Sequence, residues 1–273
     1  MRRRLELMWQ TGRVSKGADL ALQAVRRDMR SGGELLASAL AMRLFFILLP
    51  FTAAQLALLG LTTSSDPAAA EDALTSLGIT SAAAASLTAS ARVSTTSLWL
   101  VLGGSLCALV WSARTTLRFL WTVHALAWSE PPTRPPRPWQ GAFVLIGAIL
   151  ALNLLYLVTP LMENAFGLGW GFVSLVAALA LSTAFWLGAA WLMPHGGAPW
   201  HALIPGAVVI AAGTAVLHAL ATLWLVVGVS HYNAAYGVLG GAVALLLWFY
   251  AVGRLIVAAA MLNAARWDRR AAA

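Results

Sequence analysis

Two arginines and a histidine lie where a side chain finds little water. Arg43 falls about nine residues into one long apolar run and Arg254 falls deep in another. His218 has Thr214 and Thr222 one turn to either side, giving a polar stripe along a helix. A guanidinium in the hydrocarbon region costs at least about 2.5 kcal/mol even on insertion-derived scales. It therefore needs an anion, a set of carbonyls, or water held inside a helix bundle. Arg43 leans toward the amino end of its helix, so it can snorkel to the cytoplasmic interface. Arg254 lies about 12 residues, or roughly 18 Å, before the basic anchor Arg266 and leans the other way, toward the bilayer centre. Of the ten acids, Glu163 sits at an outer helix end and Glu34, Glu130 and Asp268 at inner ends, so none is expected at the depth of Arg254. Gln55, Asn153, Tyr156 and Tyr250 remain as neutral partners. Two readings follow for Arg254: solvation by carbonyls and water, or a polar cavity that admits an anion such as a lipid phosphate. His218 is either hydrogen-bonded within the bundle or a pH-sensitive gate.

Other chemistry is sparse. There is no HExxH, no phosphate-binding glycine loop with its lysine, and no Cys/His set with metal-ligand spacing. His195 and His201 flank "GGAPW" without neighbouring carboxylates. The expectation is a chain that is not an enzyme, with no metal and no cofactor. Cys107, the only cysteine, lies in an apolar run and reads as a packing residue.

The elements that hold these residues follow from composition. Of 273 residues, 60% are hydrophobic and only 10% charged, and the mean hydropathy is +0.77. Soluble domains carry about 25% charged residues. Repeated apolar runs of about 20 residues then imply membrane-crossing helices. The net charge of +8 does not point to nucleic acid, because the basic residues cluster at the ends of apolar runs. That is the placement of anchors facing anionic lipid.

The spacing predicts a basic cytoplasmic arm over residues 1–33, then a six-helix membrane domain over 34–265, then a short basic tail over 266–273. The arm holds eight of the eighteen Lys and Arg residues, and its start does not read as a removable signal peptide. Within it, "ADLALQAVRRDMR" at Ala18–Arg30 places Leu22, Val25 and Met29 on one helical face. This is either an amphipathic helix on the cytoplasmic leaflet or a solvated helical arm. The expected spans are 34–61, 97–121, 140–162, 170–193, 202–229 and 237–265. An Ala/Ser/Thr-rich outer loop at 62–96 joins the first two, and a proline-rich inner loop at 129–139 precedes the third. With the amino terminus inside, fifteen basic residues fall on the cytoplasmic side and Arg92 alone outside, so both termini are expected to be cytoplasmic.

Between the last two spans the chain reads "VSHYNAAYGVLGG". Ser230, His231, Tyr232, Asn233 and Tyr236 are expected to form a short outer turn, with the tyrosines in the interfacial belt. Gly237 and Gly241 form a GxxxG with Gly240 beside them, so another helix can approach closely. Either structural need or a ligand-facing role accounts for this stretch.

Several segments carry a family resemblance. "IPGA" at Ile204–Ala207 contains the helix-packing pair Pro205 and Gly206, and "YNAAYGVLGG…LLLWFY" spans Tyr232–Tyr250. "ALAMRLFFILLPF" at Ala39–Phe51 and "LVWSARTTLRFL" at Leu109–Leu120 add to the pattern. Together they resemble the YihY/BrkB family of bacterial inner-membrane proteins over most of Ala24–Ala265. The resemblance implies an all-α polytopic membrane protein with six transmembrane helices, both termini inside, and roles in envelope biogenesis or transport. An old label of such proteins as a ribonuclease finds no support, because the spans offer neither clustered metal-binding acids nor a paired general acid and base. Where the family often ends with "GAELNA", this chain has "AAMLNA" at Ala259–Ala264, so Met261 stands in place of a glutamate.

The leading expectation is an inner-membrane transporter or translocase of an anionic amphiphile, such as a lipid or an envelope precursor. Arg254, Arg43, Tyr250 and His218 would meet the head group. The partners expected are anionic membrane lipids, together with a homo-oligomeric or envelope-assembly partner, and no nucleic acid. The competing class is a non-transporting scaffold in envelope assembly. A transporter should have a polar cavity reaching Arg254, and a scaffold should have a closed bundle.

Overall fold

The computed structural model describes residues 16–63, 95–131, 139, 146–147 and 168–271. Within the last range the side chains of residues 221–242 are not described. The expected third span at 140–162, apart from 146–147, and nearly all of the outer loop lie outside these residues. Five helices make up the described chain: α1 (Lys16–Arg30), α2 (Gly33–Thr63), α3 (Thr95–Ala127), α4 (Leu168–Leu192) and α5 (Trp200–Ala271). Among the described residues, five stretches are long and apolar enough to cross a membrane: Gly33–Leu58, Thr96–Ala127, Leu175–Leu192, Trp200–Leu220 and Val243–Ala271.

The chain divides into two compact units. The first joins residues 1–42, 119–135 and 179–273, and the second joins residues 43–118 and 136–178. The first holds a core of small and aliphatic side chains, including Ala37, Val123, Val257, Met261 and Ala264, closed by Trp128. Met261 is fully buried there, where a glutamate would have to be desolvated. Many other apolar side chains are exposed, among them Leu35, Trp99, Leu100 and Trp111. Hydrocarbon rather than water suits such a surface.

Helix α5 carries the last two expected spans in one assigned run, Trp200–Ala271. Its two ends touch. The amide of Gly206 donates to Asn263 Oδ1 at 2.8 Å. In a straight helix these residues would lie about 85 Å apart. A Cβ on Gly213 would likewise fall 2.7 Å from the Leu255 side chain. The run is therefore doubled back into two antiparallel arms, and equal rise along both centres the reversal at roughly residue 234.

The crossing of the arms is fitted to Pro205. A proline inside a helix cannot donate and displaces the carbonyl one turn earlier. Asn263, only 4% exposed, closes that turn from the other arm by accepting from Gly206 and donating through Nδ2 to Leu203 O at 3.1 Å. Gly206 lets the arms meet, because a Cβ there would sit 2.8 Å from the Ala259 carbonyl oxygen and against the Asn263 side chain.

Two loops of the first unit are built on left-handed residues. After α3, Ser129 (φ 56°) lets the Glu130 amide return to Ala125 O at 2.8 Å, which closes the helix end. Glu130 Oε1 then accepts from the Gly196 amide at 2.8 Å. Gly196 (φ 59°) lies against the Trp128 ring, where a Cβ would meet Cε3 at 2.8 Å. This fixes the loop after α4 to the end of α3.

Gly206→Ala is expected to lower the thermal midpoint in detergent by several degrees. Asn263→Ala should cost about 2–3 kcal/mol, since it strips two partners from a buried turn. Thermal unfolding of both variants beside wild type checks this, and a midpoint unchanged in both would contradict the crossing.

Candidate functional site

The site grows from the way α1 is attached. Asp19 lies in its first turn and Arg27 and Arg30 in its last, as the helix dipole favours. The helix stops at Ser31, whose amide donates to Arg27 O at 3.0 Å, and Gly32 turns the chain with φ 67°. Helix α2 starts at once with Gly33, and the Asp28 carboxylate lies over the space that a Cβ on Gly33 would fill. Asp28 is thereby aimed inward and is only 9% exposed.

What Asp28 meets is Arg254. Nη1 of Arg254 donates to Oδ1 at 3.2 Å and Nη2 donates to Oδ2 at 3.0 Å, a two-bond fork between residues 226 positions apart. The guanidinium keeps about a third of its surface exposed, whereas the carboxylate is nearly closed off. One residue earlier, Gly253 lets α5 press on α2, because a Cβ there would lie 2.8 Å from Ala37 O. Two further ion pairs strap the same helices together. Arg27 bonds Asp268, and Arg269 approaches Asp19 at 4.0 Å. Arg27 also donates through Nη2 to Ser129 Oγ at 3.1 Å, which ties the end of α3 into the strap.

This corrects the expectation that no acid reaches Arg254. Counting residues along the spans placed the whole arm at the membrane surface. Packing of α1 on α5 instead brings its last turn to the arginine, and the long guanidinium side chain covers the remaining distance. The sequence signal was present as the Asp28 to Gly33 spacing, an acid followed by a left-handed turn and a residue without a side chain.

The other expected site residues each have surroundings of their own. Tyr250, one turn away on α5, packs against the apolar core. Arg43 belongs to the second unit, where Nη1 donates to the Thr115 carbonyl of α3 at 3.1 Å. A backbone carbonyl thus holds it, in addition to any reach toward the interface. His218 lies on the first arm of α5 and has an interaction of its own. The side chains of Ser230, His231, Tyr232, Asn233, Tyr236, Gly237, Gly240 and Gly241 lie outside the described ones.

Chemically the centre is an ion pair and a groove. The groove, about 440 Å³, lies beside the strap and is lined by Gln23, Arg26, Arg27, Arg30, Ser31 and Asp268 among others. Arg254 does not line it. Among the described residues no group of three or more His, Cys, Asp or Glu is placed to hold a metal ion. His195 accordingly makes local contacts: its ring stacks on Trp191 at 4.8 Å and its Nδ1 lies 2.8 Å from Met193 O.

A double-mutant cycle of Asp28→Asn and Arg254→Gln should show a coupling of about 1.5–3 kcal/mol, the range for bonds to charged groups. Detergent unfolding of the two single variants and the double variant measures it. Additive effects would mean the pair contributes no more than its separate parts.

Comparison with known proteins gives one family. The model described as virulence factor BrkB matches residues 24–273. No curated protein and no solved structure matches the chain. The matched range covers α1 from Ala24 onward, including Asp28, and all of the helices that follow. The chain is a member of the virulence factor BrkB family of membrane proteins.

Proposed function

We propose that this BrkB-family protein moves an anionic amphiphile, a lipid or an envelope precursor, across or within the bacterial cytoplasmic membrane. In this reading six helices span the membrane and both termini are cytoplasmic, as the fifteen-to-one distribution of basic residues supports. The observation that carries the reading is the two-bond fork between Arg254 and the Asp28 carboxylate. An arginine that presents both terminal nitrogens to a carboxylate presents the same geometry to a phosphate. Asp28 stands in for the head group while the arm is closed, and an arriving anion takes its place as α1 moves aside. Gly32 and Gly33 form the hinge. Exchange of one anion for another at Arg254 avoids leaving a bare charge in the bundle, which keeps the barrier low. With no nucleotide-binding motif in the sequence, an ion gradient or a partner protein supplies the energy.

The scaffold reading keeps one specific support. Arg254 is already satisfied, and it does not line the groove beside the strap. In that case the arm stays closed and the protein acts through its surfaces.

Flux of a fluorescent anionic phospholipid analogue into proteoliposomes distinguishes the two. Asp28→Asn should speed flux several-fold by weakening the closed state, and Arg254→Gln should abolish it. Wild type, Asp28→Asn and Arg254→Gln all matching protein-free vesicles would overturn transport and leave the scaffold.

A further inference from the structure

We infer a second anion site, separate from Arg254, on the arginine face of α1. The site takes the phosphate of an anionic phospholipid in the leaflet against which this helix lies. It does not depend on whether the protein transports anything.

Three faces of α1 carry the argument. Gln23, Arg26, Arg27 and Arg30 stand at positions i, i+3, i+4 and i+7, which share one face of a helix. All four line the groove of about 440 Å³, and Ser31 at the helix end adds a hydroxyl. Three arginines and one acid, Asp268, are among the residues that line it, so the lining is net positive. Asp268 is engaged by Arg27, and Arg30 has no ion pair or hydrogen bond among the described residues.

The adjoining face is apolar. Val25 is 52% and Met29 68% exposed, and Leu35, just beyond the turn, is 78% exposed. Arg26 stands four residues after Leu22 and three before Met29, the spacings at which side chains of one helix meet, so the arginine face borders the apolar one along Arg26. A soluble anion would account for the arginines but not for these bare side chains. A phospholipid accounts for both, with its acyl chains over Val25 and Met29 and its phosphate against Arg26 and Arg30.

The third face fixes the other two. Asp28 bonds Arg254 and Arg27 bonds Asp268, so α1 cannot roll about its axis without breaking the strap. The arginine face is therefore pre-organised rather than free to spread along the membrane. Placement of Arg27 and Arg30 at a helix carboxyl end also serves the helix dipole. That role asks nothing of Arg26, of the apolar face or of the lipid.

The test is native mass spectrometry of the full chain in mild detergent, titrated with phosphatidylglycerol or with phosphatidylcholine. Wild type should retain phosphatidylglycerol in preference, and Arg26→Gln with Arg30→Gln should weaken that retention about ten- to thirty-fold. Phosphatidylcholine retention should not change, and thermal unfolding should confirm that the variant is folded. Val25→Ser with Met29→Ser, which keeps every charge, should weaken long-chain phosphatidylglycerol and spare a short-chain analogue. Arg270→Gln, which removes an arginine that does not line the groove, should leave the preference intact, which separates the site from a general loss of positive charge. Equal phosphatidylglycerol retention by wild type and the double arginine variant would overturn the site. Complete displacement of the lipid by millimolar inorganic phosphate would overturn its assignment to lipid, since the arginines would then serve any soluble anion.

Discussion

The fork between Arg254 and Asp28 is the constraint on which the first unit depends. A guanidinium within an apolar helix cannot be left without a partner, because its desolvation would exceed the net stability that one or two hydrogen bonds provide. Meeting it with a carboxylate requires a second helix to bring that carboxylate in. This determines where α1 lies, and the position of α1 in turn sets what surrounds it. Gly33 must lack a side chain to leave room for the carboxylate, and Gly253 must lack one so that α5 can reach α2. Arg27 and Arg269 then fall within reach of Asp268 and Asp19.

Small residues and polar clamps do most of the remaining work. Lipid offers no hydrophobic reward for packing one apolar helix on another, so close contact and internal hydrogen bonds must hold helices together. At the crossing of the two α5 arms both occur at one place. Gly206 allows the approach, and Asn263 uses it to satisfy the turn that Pro205 opens. In the second unit, Arg43 on the Thr115 carbonyl and Arg114 over the rings of Trp111 and Trp139 follow the same logic. Carbonyl dipoles and aromatic faces meet part of their charge.

In the proposed reading, the amphipathic arm connects this architecture to the membrane. Its polar face carries arginines beside a groove, its apolar face is bare, and its third face is bonded to α5. A helix held in this way couples the membrane surface to an arginine in the bundle, because anything that pulls α1 away also removes the counter-ion of Arg254. For the anion proposed to replace Asp28, such coupling between ligand and arm runs in both directions, as linkage requires.

The sequence by itself determined the class of protein. Hydropathy, apolar run length and the placement of basic residues at run ends are local quantities, and they indicated long membrane-crossing helices without reference to any contact. The helical arm at Lys16–Arg30 was legible from the spacing of Leu22, Val25 and Met29, and Arg254 stood out because a charge in an apolar run is costly wherever it is packed. The partner of Arg254 was not legible. Asp28 lies 226 positions away, and depth estimated along the chain treats each helix as if it stood alone. The role of Asn263 was not legible for the same reason, since it comes from a proline on the opposite arm. Nor could spacing show which residues of the two α5 arms meet. Local composition sets which segments become helices and which of them enter lipid; only tertiary structure decides which buried charges face one another, because that depends on how separately stable helices pack.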